Sequence, residues 1–173
     1  YAARVLGAAG WGAFSYLTSL AAILTVFSDV GLSSVVIREV TKRPKLKDKY
    51  FSTAFLFKFI LTVLSFLIIV FLAPHITNIQ VSQTLVYLVG FLFIFDSLRR
   101  FGASLFRAVE RMELEAFVNI ITQAVIVVAG FIALLMITSP ESLAAAYAIG
   151  AGAGLLVTMY ILRQDIKNLF SSF

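Results

Sequence analysis

Polar side chains recur at helical spacing inside two of the long apolar segments of this chain. In the first segment the steps are of three and four, through Ser15, Thr18, the small residue Ala22, Thr25 and Asp29. In the second the steps are of four: Glu115, Asn119 and Gln123. Such steps put side chains on one face of a helix. Two polar faces in apolar helices predict a hydrated cavity between helices, because Asp, Asn and Gln side chains that meet lipid are costly.

The same side chains also have a second interpretation, in which they bond across packed membrane helices and line no cavity. Lys58 leaves two interpretations open as well. It lies about 10 Å into an apolar segment, a depth from which its stem could reach the membrane surface. Alternatively it faces the cavity, meets an anionic ligand and pairs at rest with Asp29 or Asp96. Asp96 itself stands three and four residues before Arg99 and Arg100, a spacing that favours ion pairs within one helix.

The chain has few of the residue types that form catalytic or metal-binding sites. The chain has one histidine, His75, and no cysteine. It therefore offers no histidine pair, no thiol nucleophile and no thiolate metal site. We expect no catalytic residues, no metal and no cofactor, and hence a protein that is not an enzyme.

Composition indicates that the elements carrying these residues are membrane helices. Hydrophobic residues make up 61% of the chain and charged residues 13%, which leaves too little polar surface for a water-soluble protein of this length. A bilayer core of about 30 Å requires roughly 20 apolar residues of helix. We place five such spans at about 11–37, 51–72, 81–98, 117–137 and 143–162. The first is long enough that we expect a break at residues 28–31, and the glycines of the last, Gly150, Gly152 and Gly154, predict close helix packing.

Positive charge indicates the orientation of these spans. All Lys and Arg residues except Arg4 and Lys58 fall in three segments, 38–49, 99–111 and 163–167. Short loops rich in Lys and Arg stay cytoplasmic, so we expect these three on the cytoplasmic side of a multi-pass cell membrane protein. Residues 107–115 are expected to form an amphipathic helix there. Anionic membrane lipid accounts for the net charge of +5, and we expect no nucleic-acid partner.

Several short motifs resemble one family of membrane proteins. In chain order they are residues 3–7 (ARVLG), 10–14 (GWGAF), 28–32 (SDVGL), 38–39 (RE) and 106–112 (FRAVERM). Their order and spacing resemble the N-terminal half of polysaccharide-biosynthesis flippases. These are the O-antigen and teichoic-acid exporters of the multidrug/oligosaccharidyl-lipid/polysaccharide superfamily. Trp11 stands where that family more often has Tyr.

The resemblance implies an all-α fold, a polytopic transmembrane helix bundle that forms a MATE-like N-terminal lobe. Such proteins have two six-helix lobes around a cavity that opens alternately to each side. Residues 1–173 would be part of the first lobe, with its first helix and the C-terminal lobe outside the chain. The implied function is to flip a polyprenyl-pyrophosphate-linked oligosaccharide across the membrane for cell-surface polysaccharide biosynthesis. The implied partners are this lipid-linked substrate, membrane lipids and a coupling ion, H+ or Na+.

A pyrophosphate headgroup requires positive charge in a wet cavity. The candidate substrate-binding residues are Arg4, Asp29, Arg38, Lys58, Asn119 and Gln123. Arg4 can equally be an anchor at the level of the lipid headgroups. Two other functions stay open: a cation-coupled multidrug extruder of the same fold, in which Asp29 would bind the ion, and a membrane-embedded glycosyltransferase or polymerase.

Overall fold

The apolar segments of the chain form long helices. The computed structural model describes residues 2–42, 46–76, 81–108 and 110–171, with the side chains of 47, 48, 74, 76 and 164–171 outside the description. Within these ranges there are six helices and no strand: α1 (Ala2–Asp29), α2 (Leu32–Lys42), α3 (Lys47–Ile76), α4 (Gln83–Ala108), α5 (Met112–Met136) and α6 (Pro140–Ser171). The predicted all-α class is confirmed.

Four helical segments of the described chain are long and apolar enough to cross a membrane: Ala2–Lys42, Lys49–Ala73, Met112–Met136 and Pro140–Arg163. They correspond in position to four of the five predicted spans. The other predicted span, 81–98, lies on α4, which continues past residue 98 to Ala108 and carries Asp96, Arg99 and Arg100 within it. The described chain is thus a helix bundle suited to a membrane, as its composition predicted.

A break after Asp29 divides the first predicted span into α1 and α2. Val30 and Gly31 have φ angles of 39° and 76°, in the left-handed region that Gly adopts readily and a β-branched residue seldom does. The predicted break at residues 28–31 is therefore confirmed. The helix also begins earlier than residue 11, at Ala2, and has a second non-helical position at Gly7, where φ is 70°.

Two of the basic segments differ from the predicted loops. Residues 38–42 belong to α2 and residues 99–108 to α4, while 43–45 lie outside the described residues. The prediction of one amphipathic helix over 107–115 is wrong. Glu110 has a φ of 59° and α5 begins at Met112, so the chain turns between two helices there. Arg107 Nε and Glu115 Oε2 form an ion pair of 3.1 Å across this turn.

Serine side chains cap the starts of α4 and α6. The Ser82 hydroxyl accepts a hydrogen bond from the backbone N–H of Leu85 at 3.2 Å, and the Ser139 hydroxyl accepts one from Ser142 at 3.1 Å. These bonds satisfy N–H groups that a helix start leaves without a partner. Pro140 at the first position of α6 needs no such bond. Local sequence therefore sets where these two helices begin.

α4 is the central helix and packs against each of the other five. One apolar cluster lies toward the α5–α6 turn and includes Leu17, Ile69, Val89, Leu134 and Ala144. A second lies toward the end of the bundle that holds Arg107, Arg111 and Arg163, which we call the basic end; it includes Val36, Phe51, Phe101, Val118 and Leu162. Six of the buried polar residues fall between the two clusters along α1, α3, α4 and α5. This polar layer consists of Ser28, Lys58, Thr62, Ser97, Arg99 and Thr122.

Glycines bring α6 close to its neighbours. A Cβ atom at Gly150 would collide with Ile126 of α5, and one at Gly154 would collide with Thr122 and Arg99. Small residues permit this approach of membrane helices, so the predicted close packing is confirmed for both. Gly152 instead faces Phe95 of α4, where an added Cβ would lie at an ordinary 3.5 Å. Only two of the three glycines are therefore required by contact.

Candidate functional site

Lys58 is the most deeply enclosed charge in the described part of the bundle. It is 2% exposed, and its Nζ donates hydrogen bonds of 3.1 Å to both the backbone oxygen and the hydroxyl of Ser28. Asp29 Oδ1 lies 3.5 Å from the same Nζ and also accepts a 2.6 Å bond from the Ser33 hydroxyl. The predicted pairing with Asp29 is confirmed. The interpretation that Lys58 extends to the membrane surface is wrong.

The end of α1 explains why a lysine is held here. α1 stops at Asp29, so the carbonyl groups of its last turn lack the usual partners along the helix and carry the negative end of the helix dipole. A cation that reaches these carbonyls satisfies them. Lys58 does so from α3, and it thereby joins the break between α1 and α2 to the next helix.

Hydroxyl groups extend this contact to the central helix. Ser97 Oγ of α4 lies 3.3 Å from Ser28 Oγ and 3.3 Å from Thr62 Oγ1. Three helices therefore meet through side-chain hydrogen bonds at one level of the bundle. Such bonds between membrane helices contribute roughly 0.6 kcal/mol each on average, so each hydroxyl contributes little energy and mainly fixes the level at which the helices meet.

A second charged group lies on the α5 side of the central helix. Asp96 Oδ1 accepts bonds from Arg99 Nε and Nη2 at 3.3 and 2.7 Å, and its Oδ2 accepts one from Arg100 Nε at 2.6 Å. Arg99 also donates to the side-chain oxygen of Asn119 on α5. The predicted ion pairs of Asp96 are confirmed. Sequence reasoning gave Arg99 no contact with α5, although Asn119 could have suggested one.

Exposed polar side chains of α4 and α5 flank the bond between Arg99 and Asn119, since Arg100 follows Arg99 and Gln123 lies one turn beyond Asn119; we call Arg100, Asn119 and Gln123 the exposed polar face. The Arg100 side chain is 63% exposed, and Asn119 and Gln123 are also exposed. Arg100 lies seven residues before Arg107, or about 10 Å deeper into the bundle at 1.5 Å per residue. Asp96 lies one turn deeper still, and its 2.6 Å ion pair with Arg100 Nε holds the guanidinium group at this depth, where contact with lipid is costly, instead of at the membrane surface. This face is therefore suited to water or to another part of a protein.

The polar stripe of α1 is mostly satisfied within its own helix. The Thr18 hydroxyl donates to the backbone oxygen of Phe14, and the Thr25 hydroxyl donates to that of Ala21, each at 2.9 Å. Asp29, by contrast, pairs with Lys58 on α3. The packing interpretation therefore suffices for Thr18 and Thr25, and the stripe contributes to the site through Asp29.

The structure does not bring Arg4 and Arg38 to the polar layer. Arg4 is exposed near the start of α1, 25 residues before Asp29. Arg38 lies on α2 toward the basic end, where its side chain is 64% exposed and pairs with the neighbouring Glu39 at 3.2 Å. Of the six candidates, Asp29 and Lys58 are in contact, Asn119 contacts Arg99, and Gln123 lies one helical turn beyond Asn119. In the described part of the chain no group of three His, Cys, Asp or Glu side chains could hold a metal ion.

Comparison with known families identifies the chain by its whole length. A family model described as polysaccharide biosynthesis protein matches residues 1–173. The chain belongs to this family. The resemblance found in its motifs is thereby confirmed, and the chain is a helical membrane protein of polysaccharide biosynthesis. No curated protein and no solved structure gives a significant match.

Proposed function

We propose that this protein is a transporter that flips a polyprenyl-pyrophosphate-linked oligosaccharide across the cytoplasmic membrane by alternating access. Its family supports a role in polysaccharide biosynthesis. The observation that carries the proposal is the exposed polar face of Arg100, Asn119 and Gln123 at membrane depth. A transporter cavity requires such a face, because the headgroup needs polar partners while its lipid tail stays in the bilayer. The protein acts without catalytic residues.

The residues divide into ligand contacts and supporting contacts. Arg100 is the cation suited to the pyrophosphate, because its exposed guanidinium is oriented by Asp96 through a single bond from Nε. Asn119 and Gln123 offer amide groups to the sugar. Lys58 is enclosed by Ser28 and Asp29, so its role is to hold α1 against α3. Residues 1–173 act as part of an N-terminal lobe, with the basic end on the cytoplasmic side.

Reconstituted flipping tests this proposal. The full-length protein that contains residues 1–173 is purified and placed in liposomes with a fluorescent lipid-linked oligosaccharide, and a membrane-impermeant quencher reads the fraction of the label that is exposed. Arg100→Gln removes a charge-assisted phosphate contact worth about 1.5–3 kcal/mol, so flipping should fall roughly 10-fold to 100-fold. Arg111→Gln is the matched control, because Arg111 is also exposed at 61% and lies at the basic end. It should flip at the wild-type rate.

The alternative functions predict different results in the same liposomes. A multidrug extruder would export cationic dyes and would lose this activity on Asp29→Asn. A glycosyltransferase or polymerase would change the length of the labelled sugar, which chromatography detects. Wild-type protein that leaves the labelled lipid in its original leaflet, under both an H+ and an Na+ gradient, would refute the flippase proposal.

A further inference from the structure

An apolar groove runs between α4 and α6 on the side of α4 opposite Ser97, and Arg99 of the polar layer follows its lining residue Phe95 one helical turn later. It is open on its outer side, where Phe91, Ile149 and Leu156 are exposed, and it has a volume of about 500 Å³. Its lining is apolar throughout: Leu88, Phe91, Phe95, Ala145, Ala148, Ile149, Gly152, Ala153 and Leu156. On α4 the lining residues recur at steps of three and four, so they form one face. Small residues on α6 make room for the groove. The stacked rings of Phe91 and Phe95, with centroids 6.4 Å apart, form the opposite wall on α4.

The α6 wall of this groove leads directly to a charged aromatic pair. Tyr160 and Arg163 follow Leu156 at steps of four and three, so they continue the same helix face toward the basic end. The Arg163 guanidinium carbon lies 4.7 Å from the centre of the Tyr160 ring. Both side chains are exposed, Tyr160 to 66%. Tyrosine and arginine are the residue types that meet lipid headgroups at the edge of a bilayer.

Distances along α6 allow one lipid chain to occupy the part of the groove nearer the basic end. The lining residues from Ala145 to Leu156 span about 16 Å of helix, and Arg163 lies about 10 Å beyond. Half of a hydrocarbon core measures about 15 Å when its chains are disordered. A chain held straight in the groove reaches further than a disordered one, and so can extend from the level of Tyr160 past Gly152. A headgroup at Arg163 then requires negative charge.

We propose that the groove between α4 and α6 binds one anionic phospholipid, with an acyl chain along Phe91, Phe95 and Gly152 and its phosphate at Arg163. The site differs from the proposed transport site, because Arg100 and Asp96 lie on another face of α4. The lipid fills a space that the two helices leave open within the bilayer. It therefore acts as a bound structural lipid, and its headgroup charge decides which lipid is retained.

Native mass spectrometry of the detergent-solubilised protein tests the proposal. The probes are phosphatidylglycerol and phosphatidylcholine with identical acyl chains, titrated separately. We expect one phosphatidylglycerol to bind about fivefold more tightly than phosphatidylcholine, the size of effect that one basic residue has near an anionic headgroup. Arg163→Gln should abolish this preference. Arg38→Gln is the control, because Arg38 is exposed on α2, which contributes no residue to the lining of this groove.

A second variant tests the groove itself. Gly152→Leu places a side chain into the space, and its Cβ fits at 3.5 Å from Phe95. It should weaken the binding of both lipids, whereas Ala124→Leu on the exposed face of α5 should not. Unchanged headgroup preference in Arg163→Gln would overturn the proposal. Unchanged lipid binding in Gly152→Leu would also overturn it. The same holds if wild type forms a dimer that binds no lipid at this groove and Gly152→Leu abolishes the dimer. Melting temperatures of both variants identify misfolding, and Arg163→Gln alone then decides.

Discussion

Replacing Lys58 by methionine should destabilise the bundle without disturbing its shape. Methionine matches the length and flexibility of the lysine stem but cannot donate to Ser28 or attract Asp29. In the structure Nζ makes two hydrogen bonds of 3.1 Å and an ion pair of 3.5 Å at a site only 2% exposed. The substitution therefore removes the only charge that links the end of α1 to α3 among the described residues.

The size of the effect follows from burial. Removing one partner of a buried ion pair costs about 3–5 kcal/mol. The lower end applies, because the Asp29 side chain is 33% exposed and water can reach it once the lysine is gone. A loss of about 3 kcal/mol corresponds to a fall in melting temperature of about 6–12 °C for a chain of this size. Asp29→Asn should lower the free energy of unfolding by at least as much, because it leaves the charge of Lys58 without its partner at the more buried of the two positions.

The assay is thermal unfolding of the detergent-solubilised protein, followed by intrinsic fluorescence, for wild type, both single variants and the double variant. The double variant should be more stable than the sum of the single effects predicts, by about 2 kcal/mol, because neither partner is left alone. Lys49→Met is the control, since Lys49 is exposed on the same helix. Lys58 does not hold α1 against α3 if Lys58→Met has the melting temperature of wild type. The same conclusion follows if the stability changes of the two single variants add up to that of the double variant.

Three further results are expected. Cysteine introduced at Asn119 or Gln123 should react with water-soluble thiol reagents and cysteine at buried Thr122 should not, in a chain without native cysteine; unreactive positions 119 and 123 would exclude a hydrated face. Gly150→Ala should lower the free energy of unfolding by about 1–3 kcal/mol, because the added methyl group meets the backbone of α5. Equal melting temperatures for Gly150→Ala and Gly152→Ala would contradict this packing. Arg99→Gln should lower the melting temperature more than Arg100→Gln does, because the Arg99 side chain is 7% exposed and the Arg100 side chain is 63% exposed. The reverse order would refute the assignment of Arg99 as a supporting residue and Arg100 as a ligand contact.

Much of the fold could be predicted because a bilayer leaves few choices. A backbone in lipid must satisfy its hydrogen bonds internally, so a long apolar segment becomes a helix. The break at residues 28–31 was also predictable, since Gly31 supplies a conformation that other residues avoid. Boundaries were less certain. The turn at Glu110 interrupts a segment whose sequence pattern predicts one amphipathic helix. Glu110 adopts a left-handed φ of 59°, and the segment contains no glycine from which this could be predicted.

Pairs within one helix could likewise be read from spacing. Asp96 reaches Arg99 and Arg100 because residues three and four apart lie on the same side of a helix. Asp29 and Lys58 were a possible pair on two helices, and so were Asp96 and Lys58. Sequence spacing could not choose between them. The choice depends on which helix face of α1 meets α3, and packing decides that.

The sequence by itself determined the membrane environment, the helical class and the family, because each depends on composition or on motif order along the chain. Tertiary structure alone decided which charges are enclosed and which are exposed. Lys58 is covered because α1 ends against it, and Arg99 is covered where α6 approaches it at Gly154, whereas its neighbour Arg100 on the same helix is exposed. Burial depends on contacts between distant segments, which spacing along one helix does not contain.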